Sequence, residues 1–574
     1  MIHRLIRRSL GLPRRRCSSD VERLAIPMPD GVRLATTHVW PIDCEGPAPT
    51  LVMRTPYGVD ARASLMIWLG RIFAEYGYHV VLQDVRGRYA SEGEFEPFVH
   101  EAVDGAATLD WLDGQRWSEG PVGMLGASYL AYTAWAAAAR RPERVGALAI
   151  AIGSSDLFPV FHPHGVFSLA NALEWAAGLG EHESVDGRHV DLDRAFFYEP
   201  IREADRVARR EVDFYRTWVD RPTRDEYWEQ RVRAPLPDPA PPTLFVAGWW
   251  DFFLEPQLAD HAALAERARS GDGAQPSLVI GPWAHGPIAN RRFWRDGMQR
   301  RSLGRIVQHF DSHLAGRAEA RSPARVRFHV CDPAGRGDWR EAREWPPEDG
   351  QPLALHLHAN DGGAGLSLDA PADSGRIDLE YDPLDPTPTI GGSLFGWKAG
   401  SKDQGRLAAR PDVVWLESEE LSGDLVVAGP VAARLFVGAE LAPADFAVHL
   451  IDAAPNGSML EVGDGLGRWM KAGGEGSSEH DVDGQDDEGS ELVVSLGHRA
   501  WRFRAGHRVR VHLAPAHCPR FARARPPSLD DETRPAIGRQ WIVCSEERPS
   551  RLELIVAEGS GRGAWAPGQP PDRS

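Results

Sequence analysis

Two stretches of this chain alternate short apolar runs with helical runs, and a stretch of another pattern separates them. From Leu51 to about Ala151, "TLVMRTPYG", "YHVVLQDVRG", "PVGMLG" and "VGALAIAIG" read as strands. "FVHEAVDGAATLDWLDGQ" and "YLAYTAWAAAARRP" between them have helical spacing. Such alternation implies βαβ units and a parallel sheet, and the unbroken apolar runs suit strands covered on both faces. From about Ser154 to Ala234 strand runs cease, and Trp, Phe, Arg and acidic residues recur at helical spacing up to the stiff "APLPDPAPP". The sheet pattern then resumes with "TLFVAGWWD", the helix of "PQLADHAALAERA", "SLVIGPWAH" and a helix ending near "FDSHLAG". A helical insertion between strands of one sheet reads as a lid.

Beyond about Arg325 short alternating runs such as "ARVRFHV", "LALHLHA", "FAVHLIDA" and "HRVRVHLAP" lie between Gly, Pro and Asp turns. That pattern predicts an all-β jelly roll. The expected plan is therefore α/β: an α/β core in two parts (22–153 and 243–320), an inserted helical cap (154–242) and a jelly-roll domain (321–560). Residues 1–21 read as a basic, disordered tail and 561–574 as a second disordered tail. The acidic "GGEGSSEHDVDGQDDEGS" reads as a solvated loop, without the ordered ligand spacing of a calcium site.

A length of 574 residues supports two or three domains. The net charge of −17 argues against a nucleic-acid partner. No apolar run is long enough to span a bilayer, so no membrane partner is expected. Five scattered cysteines without a CxxC pair argue against a disulfide framework or a structural zinc site. They suit a reducing compartment, and cytoplasmic residence is the expectation.

Chemistry concentrates at three strand ends. In "GMLGASYLA", Ser128 stands between a strand and a helix, with Gly126 small where the turn crowds its neighbours. A serine so placed is a nucleophile only with a base and an orienting acid, which α/β-hydrolases supply in the order Ser, acid, His. "LFVAGWWD" ends on Asp251 and "LVIGPWAH" is closed by His285, both after the lid and in that order. The imidazole takes the hydroxyl proton during attack, and the carboxylate fixes its tautomer. Each residue alone is open to a packing or turn role; the three together point to a triad.

At this level the chain resembles the CocE/NonD hydrolases, which include cocaine esterase, α-amino acid ester hydrolases and Xaa-Pro dipeptidyl-peptidases. "RTPYG", "QDVRGRYASEGEF", "GASYLA", "AGWWDFF", "GPWAHG", "YDPLDPTPTIGG" and "PRFARA" carry the resemblance almost from end to end. It implies the same core, cap and jelly roll, with Ser128, Asp251 and His285 as triad. It further implies that Tyr57 donates its hydroxyl, with the backbone N–H of Tyr129, to the oxyanion; such donors are typically worth about 3 kcal/mol each. Asp84 and Arg86 are expected to hold the floor of the site by ion pairs. Ala131 stands where the family's elbow commonly carries Gly, and is expected to fit with slight repacking.

α-Amino acid ester hydrolases place extra carboxylates directly after the triad Asp; here Phe252, Phe253 and Leu254 follow. That apolar wall, with Trp250, is the expected substrate pocket. The expected activity is cleavage of a small, apolar carboxylic ester or amide through an acyl-enzyme, without metal or organic cofactor. An Xaa-Pro dipeptidyl-peptidase, needing an acidic recess for a free N-terminus, is the alternative; a non-catalytic glycan-binding protein is a remote one. A homodimer is a common assembly for such folds.

Overall fold

The computed structural model describes residues 10, 12, 14–44, 48–60, 65–118, 120–179, 191–208, 210–286, 290–317, 325–360, 363–471, 489–525 and 536–565. Most of the expected N-terminal tail, nearly all of the acidic loop and most of the C-terminal tail lie outside these residues. Strands β1 (Ser18–Pro27) and β2 (Arg33–Ile42) form an antiparallel hairpin, so ordered structure begins inside the stretch assigned to the first tail. Cys17, beside β1, is joined by a disulfide to Cys44, which corrects the expectation drawn from the odd, scattered cysteines.

The core sheet runs through β3 (Thr50–Thr55), β4 (His79–Asp84), β5 (Val122–Ala127), β6 (Val145–Ala151), β7 (Thr243–Trp250) and β8 (Ser277–Ala284). Strand β2 pairs antiparallel with β4. From there β4, β3, β5, β6, β7 and β8 are neighbours in that order, all parallel. Strands β3, β4 and β7 are buried along their whole length, as unbroken apolar runs in a covered sheet require. Between β6 and β7 the described residues form helices without strands, the expected cap.

The next two strands correct the expected boundary. β9 (Val326–Cys331), cut from "ARVRFHV", pairs parallel with β8, and β10 (Gly337–Ala342) closes that edge antiparallel to β9. Both extend the core sheet rather than open the β domain. A six-residue strand at a sheet edge gives periodicity little to separate the two readings.

The β domain follows with β11 (Gln351–Asn360), β12 (Gly363–Ser367), β13 (Gly375–Tyr381), β14 (Val414–Glu417), β15 (Leu425–Ala439) and β16 (Ala444–Ala453). It continues through β17 (Met459–Trp469), β18 (Ser490–Phe503), β19 (Arg508–Ala514), β20 (Gly538–Cys544) and β21 (Arg551–Val556). Long β15 pairs with β18 on one side and with β21 and β20 on the other; β21 leads to β11 and β12, and β20 to β13. A second sheet has the order β14, β19, β16, β17. One buried apolar cluster runs from Trp135 and Phe245 in the core through Trp218 and Trp228 in the cap to Trp501 in the β domain. The three parts thus meet around one interior, and the strand ends of the core open where they meet.

Candidate active site

Ser128 joins β5 to the helix Tyr129–Arg140, with φ 58° and ψ −125°. That backbone is unfavourable for a residue with a side chain and persists only where its surroundings enforce it. Close approach enforces it here. A Cβ at Gly126 would lie 2.0 Å from the Leu130 carbonyl oxygen, so only glycine lets helix and strand meet so tightly. Ala131 is accommodated from the other side, since a Cβ at Gly153 would fall 2.5 Å from the Ala131 methyl. The larger residue at 131 is matched by the smallest one at 153.

The strand ends bring the expected triad together. His285 Nε2 lies 2.9 Å from Ser128 Oγ, and His285 Nδ1 lies 2.9 Å from Asp251 Oδ2. Asp251 Oδ1 accepts the Phe253 backbone N–H at 2.9 Å, so the carboxylate is held at both oxygens. Asp251 and His285 are both buried.

Tyr57 faces the same serine. Its hydroxyl accepts the Trp175 indole N–H at 3.1 Å and hydrogen bonds with Ser128. Burial raises the Tyr57 pKa above that of an ordinary phenol, so the group stays protonated and able to donate at neutral pH. The turn beneath is braced: Asp84 Oδ1 accepts the Val59 N–H at 2.8 Å, and Arg88 Nε donates to the Pro56 carbonyl at 3.0 Å. Asp84 therefore holds backbone, where an ion pair was expected. Arg86 does form the expected pairs, with Asp104 at 2.6 Å and Asp30 at 2.7 Å. The Tyr129 N–H opens its helix and so has no intrahelical acceptor. The Tyr129 phenol points elsewhere, donating to Glu101 at 2.7 Å, which in turn pairs with Arg54 at 2.8 Å.

Of the expected pocket residues, Phe252 stacks on the His285 ring at 4.3 Å and Phe253 lies 5.6 Å from it. Trp250 does not join them. It ends β7 and is buried against Phe293 and Trp501. Two residues that the sequence reading missed complete the enclosure. Trp175 comes from the cap helix Leu169–Leu179, and Phe395 from the β domain lies edge-on to His285 at 5.1 Å. The Phe395 segment is tied down by Gly396, whose N–H donates to the His285 carbonyl at 2.9 Å. A cavity of about 170 Å³ beside Asp251 and Phe252 is walled by Asn171 of the cap and by Ser393, Asp464 and Arg520 of the β domain.

Comparison with known proteins places the fold in a family. Residues 30–287 match the family model of the X-Pro dipeptidyl-peptidase (S15 family), and residues 318–553 match its C-terminal non-catalytic domain. Cocaine esterase of Rhodococcus sp. is 30% identical over 88% of this chain and 92% of its own length. The chain belongs to the CocE/NonD family of S15-type serine hydrolases. An α-amino acid ester hydrolase shares the fold with TM-score 0.77 at 22% identity, covering 95% of this chain and 98% of that one. An aminopeptidase from a marine sediment Thaumarchaeota archaeon does so with TM-score 0.77 at 22% identity, covering 94% and 97%. As a CocE/NonD protein, the chain is a serine hydrolase acting on esters or peptides. No helix among the described residues is long and apolar enough to cross a membrane.

Proposed function

We propose that this hydrolase cleaves carboxylic esters of apolar acyl groups through an acyl-enzyme. Ser128 Oγ attacks the ester carbonyl as His285 Nε2 takes its proton, and Asp251 stabilises the imidazolium. The oxyanion receives the Tyr57 hydroxyl and the Tyr129 N–H. His285 then returns the proton to the departing alcohol, and water repeats the sequence on the acyl-enzyme.

The observation that carries the preference for apolar esters is the aromatic enclosure of His285 by Phe252, Phe253 and Phe395. A charged amine would lose its hydration against that aromatic wall, and Asp464 across the cavity is already paired with Arg520. Glu255, the first acid after Asp251, is engaged by the His498 N–H and ring at 2.8 Å each. That the relative at 30% identity is named an esterase supports the same reading.

The match to the X-Pro dipeptidyl-peptidase family model favours a second reading. Glu174 adjoins Trp175 on the cap helix, and burial raises its pKa. In that reading Glu174 is the carboxylate assigned to the ammonium of a dipeptidyl substrate. Comparing kcat/KM for aryl esters of increasing acyl size with that for an Xaa-Pro anilide tests both. The proposal expects the esters to lead, with the larger apolar acyl groups preferred. Preference for the anilide, abolished by Glu174→Gln, would instead establish the peptidase.

The compartment divides the cysteines. Cys331, Cys518 and Cys544 are free and buried, as suits the proposed cytoplasmic residence, whereas the Cys17–Cys44 bond suits an oxidising compartment. Thiol counting on protein taken directly from cells decides between them.

A further inference from the structure

The β domain gathers three metal-ligating side chains that the hydrolase mechanism does not use. On the second sheet, His449 of β16 lies directly opposite Asp464 of β17, so the two side chains share a face. His517, from the segment after β19, reaches the same place. His449, Asp464 and His517 are all buried, and each offers one donor atom within 4.8 Å of the others.

Two of the three side chains keep donors without a partner. Both ring nitrogens of His449 and Oδ1 of Asp464 are buried without a hydrogen-bond partner. Orphaned polar groups in an interior require a reason, and a completely buried imidazole with two is a stronger case than most. His517 Nε2 is hydrogen-bonded to Asp464 Oδ2 at 2.7 Å, a bond that metal ligation replaces. Its Nδ1 lies 3.2 Å from Thr389 Oγ1, the kind of outer hydrogen bond that orients a metal-bound histidine. Arg520 pairs with Asp464 Oδ2, which leaves Oδ1 as the free carboxylate donor. Glu461 Oε2 stands 3.8 Å from His449 Nδ1 as a fourth donor within reach, while Gln404 donates to that same oxygen at 2.9 Å.

We propose that His449, Asp464 and His517 bind one divalent transition-metal ion, with zinc the best match. Two imidazoles and a carboxylate suit zinc better than calcium or magnesium, which favour all-oxygen sets. None of its residues touches Ser128 or His285, and Asp464 meets the catalytic side only as a wall of the cavity beside Asp251 and Phe252, so the ion's role is structural. The site does adjoin the segment that encloses His285. A Cβ at Gly392 would lie 2.7 Å from Asp464 Oδ2, and three residues later Phe395 packs on the His285 ring. An ion fixing Asp464 therefore steadies the turn from which Phe395 projects.

The test is zinc binding by the untagged full-length chain, read by elemental analysis after dialysis and by titration of chelator-treated protein. The expected result is about one zinc per chain, with chelation lowering the Tm and zinc restoring it. His449→Gln and His517→Gln should each weaken binding about 100-fold or more, since even losing an outer partner of a ligand costs about 10–100-fold. X-ray absorption of the wild-type zinc protein, independent of whether the variants fold, should report two imidazoles with oxygen ligands. No stoichiometric zinc in the wild type would overturn the proposal. Zinc retained in folded variants, or a coordination shell without imidazole, would overturn it equally.

Discussion

The two sides of Ser128 are built differently. On one side, His285 and Asp251 stand at the ends of neighbouring strands β8 and β7, linked to the serine by two contacts of 2.9 Å. On the other, Tyr57 sits on a turn braced by Asp84 and Arg88, and its hydroxyl is held by Trp175 from the distant cap. The proton relay is built on strand ends of the core sheet without a cap residue, whereas the oxyanion side needs the cap in place as well. Damage to the cap should therefore weaken stabilisation of the transition state while leaving the relay assembled.

The largest expected effect lies at the shared atom. Ser128→Ala should reduce kcat by about 10⁴–10⁶-fold with the fold intact, as loss of a triad nucleophile does. Residual activity within tenfold of wild type would show that the relay serves another nucleophile.

Tyr57→Phe isolates the oxyanion side. The expected fall in kcat is about 10²–10³-fold, with KM within a few-fold, because the hydroxyl acts as charge develops. A raised KM with kcat unchanged would place the tyrosine in ground-state binding instead. Trp175→Phe sharpens the comparison by keeping a ring and deleting one donor. A neutral hydrogen bond is worth about 1 kcal/mol, so kcat should fall roughly fivefold. In the double variant with Tyr57→Phe that loss should vanish, since no hydroxyl remains to be positioned.

The legibility of the sequence follows the same divide. Ser128, Asp251 and His285 could be read because each closes a strand run, and a strand end followed by a turn is a local signal. Tyr57 could be named only from the family resemblance, for a tyrosine in a loop has no pattern of its own. Trp175 and Phe395 reach the site from the cap and the β domain, so their meeting is a product of packing that no local window contains. Trp250 ends β7 and packs on Phe293 and Trp501, whereas Phe252, in the turn after the strand, reaches His285. His449 and Asp464 meet through strand register and His517 through a loop, which spacing along the chain conceals. Cys17 and Cys44 meet only because the β1–β2 hairpin returns the chain to its start.

The smallest expected effect is on stability, at the root of the cap. Asp260 accepts hydrogen bonds from the Ser155 N–H at 2.8 Å and from the Ser155 and Ser154 hydroxyls at 2.6 and 2.9 Å. Burial nevertheless pushes its pKa up from 3.8 to about 6. Between those values the folded chain holds this proton and the unfolded chain releases it. The contribution of Asp260 to stability is therefore fully present at low pH and is lost as pH rises through about 6. Tm measured across that range should carry this downward slope in the wild type, and Asp260→Asn should flatten it. Asp84, raised by burial to about 6 as well, leaves part of the slope in that variant. An unchanged slope in Asp260→Asn would mean that the carboxylate ionises normally.

The most direct test of the account is to treat the wild-type enzyme with a fluorophosphonate, digest it and map the adduct by mass spectrometry. The account predicts a single stoichiometric adduct on Ser128, absent from Ser128→Ala and from enzyme first acylated with a slowly hydrolysed aryl ester. An adduct on another residue, or none on active enzyme, would contradict it.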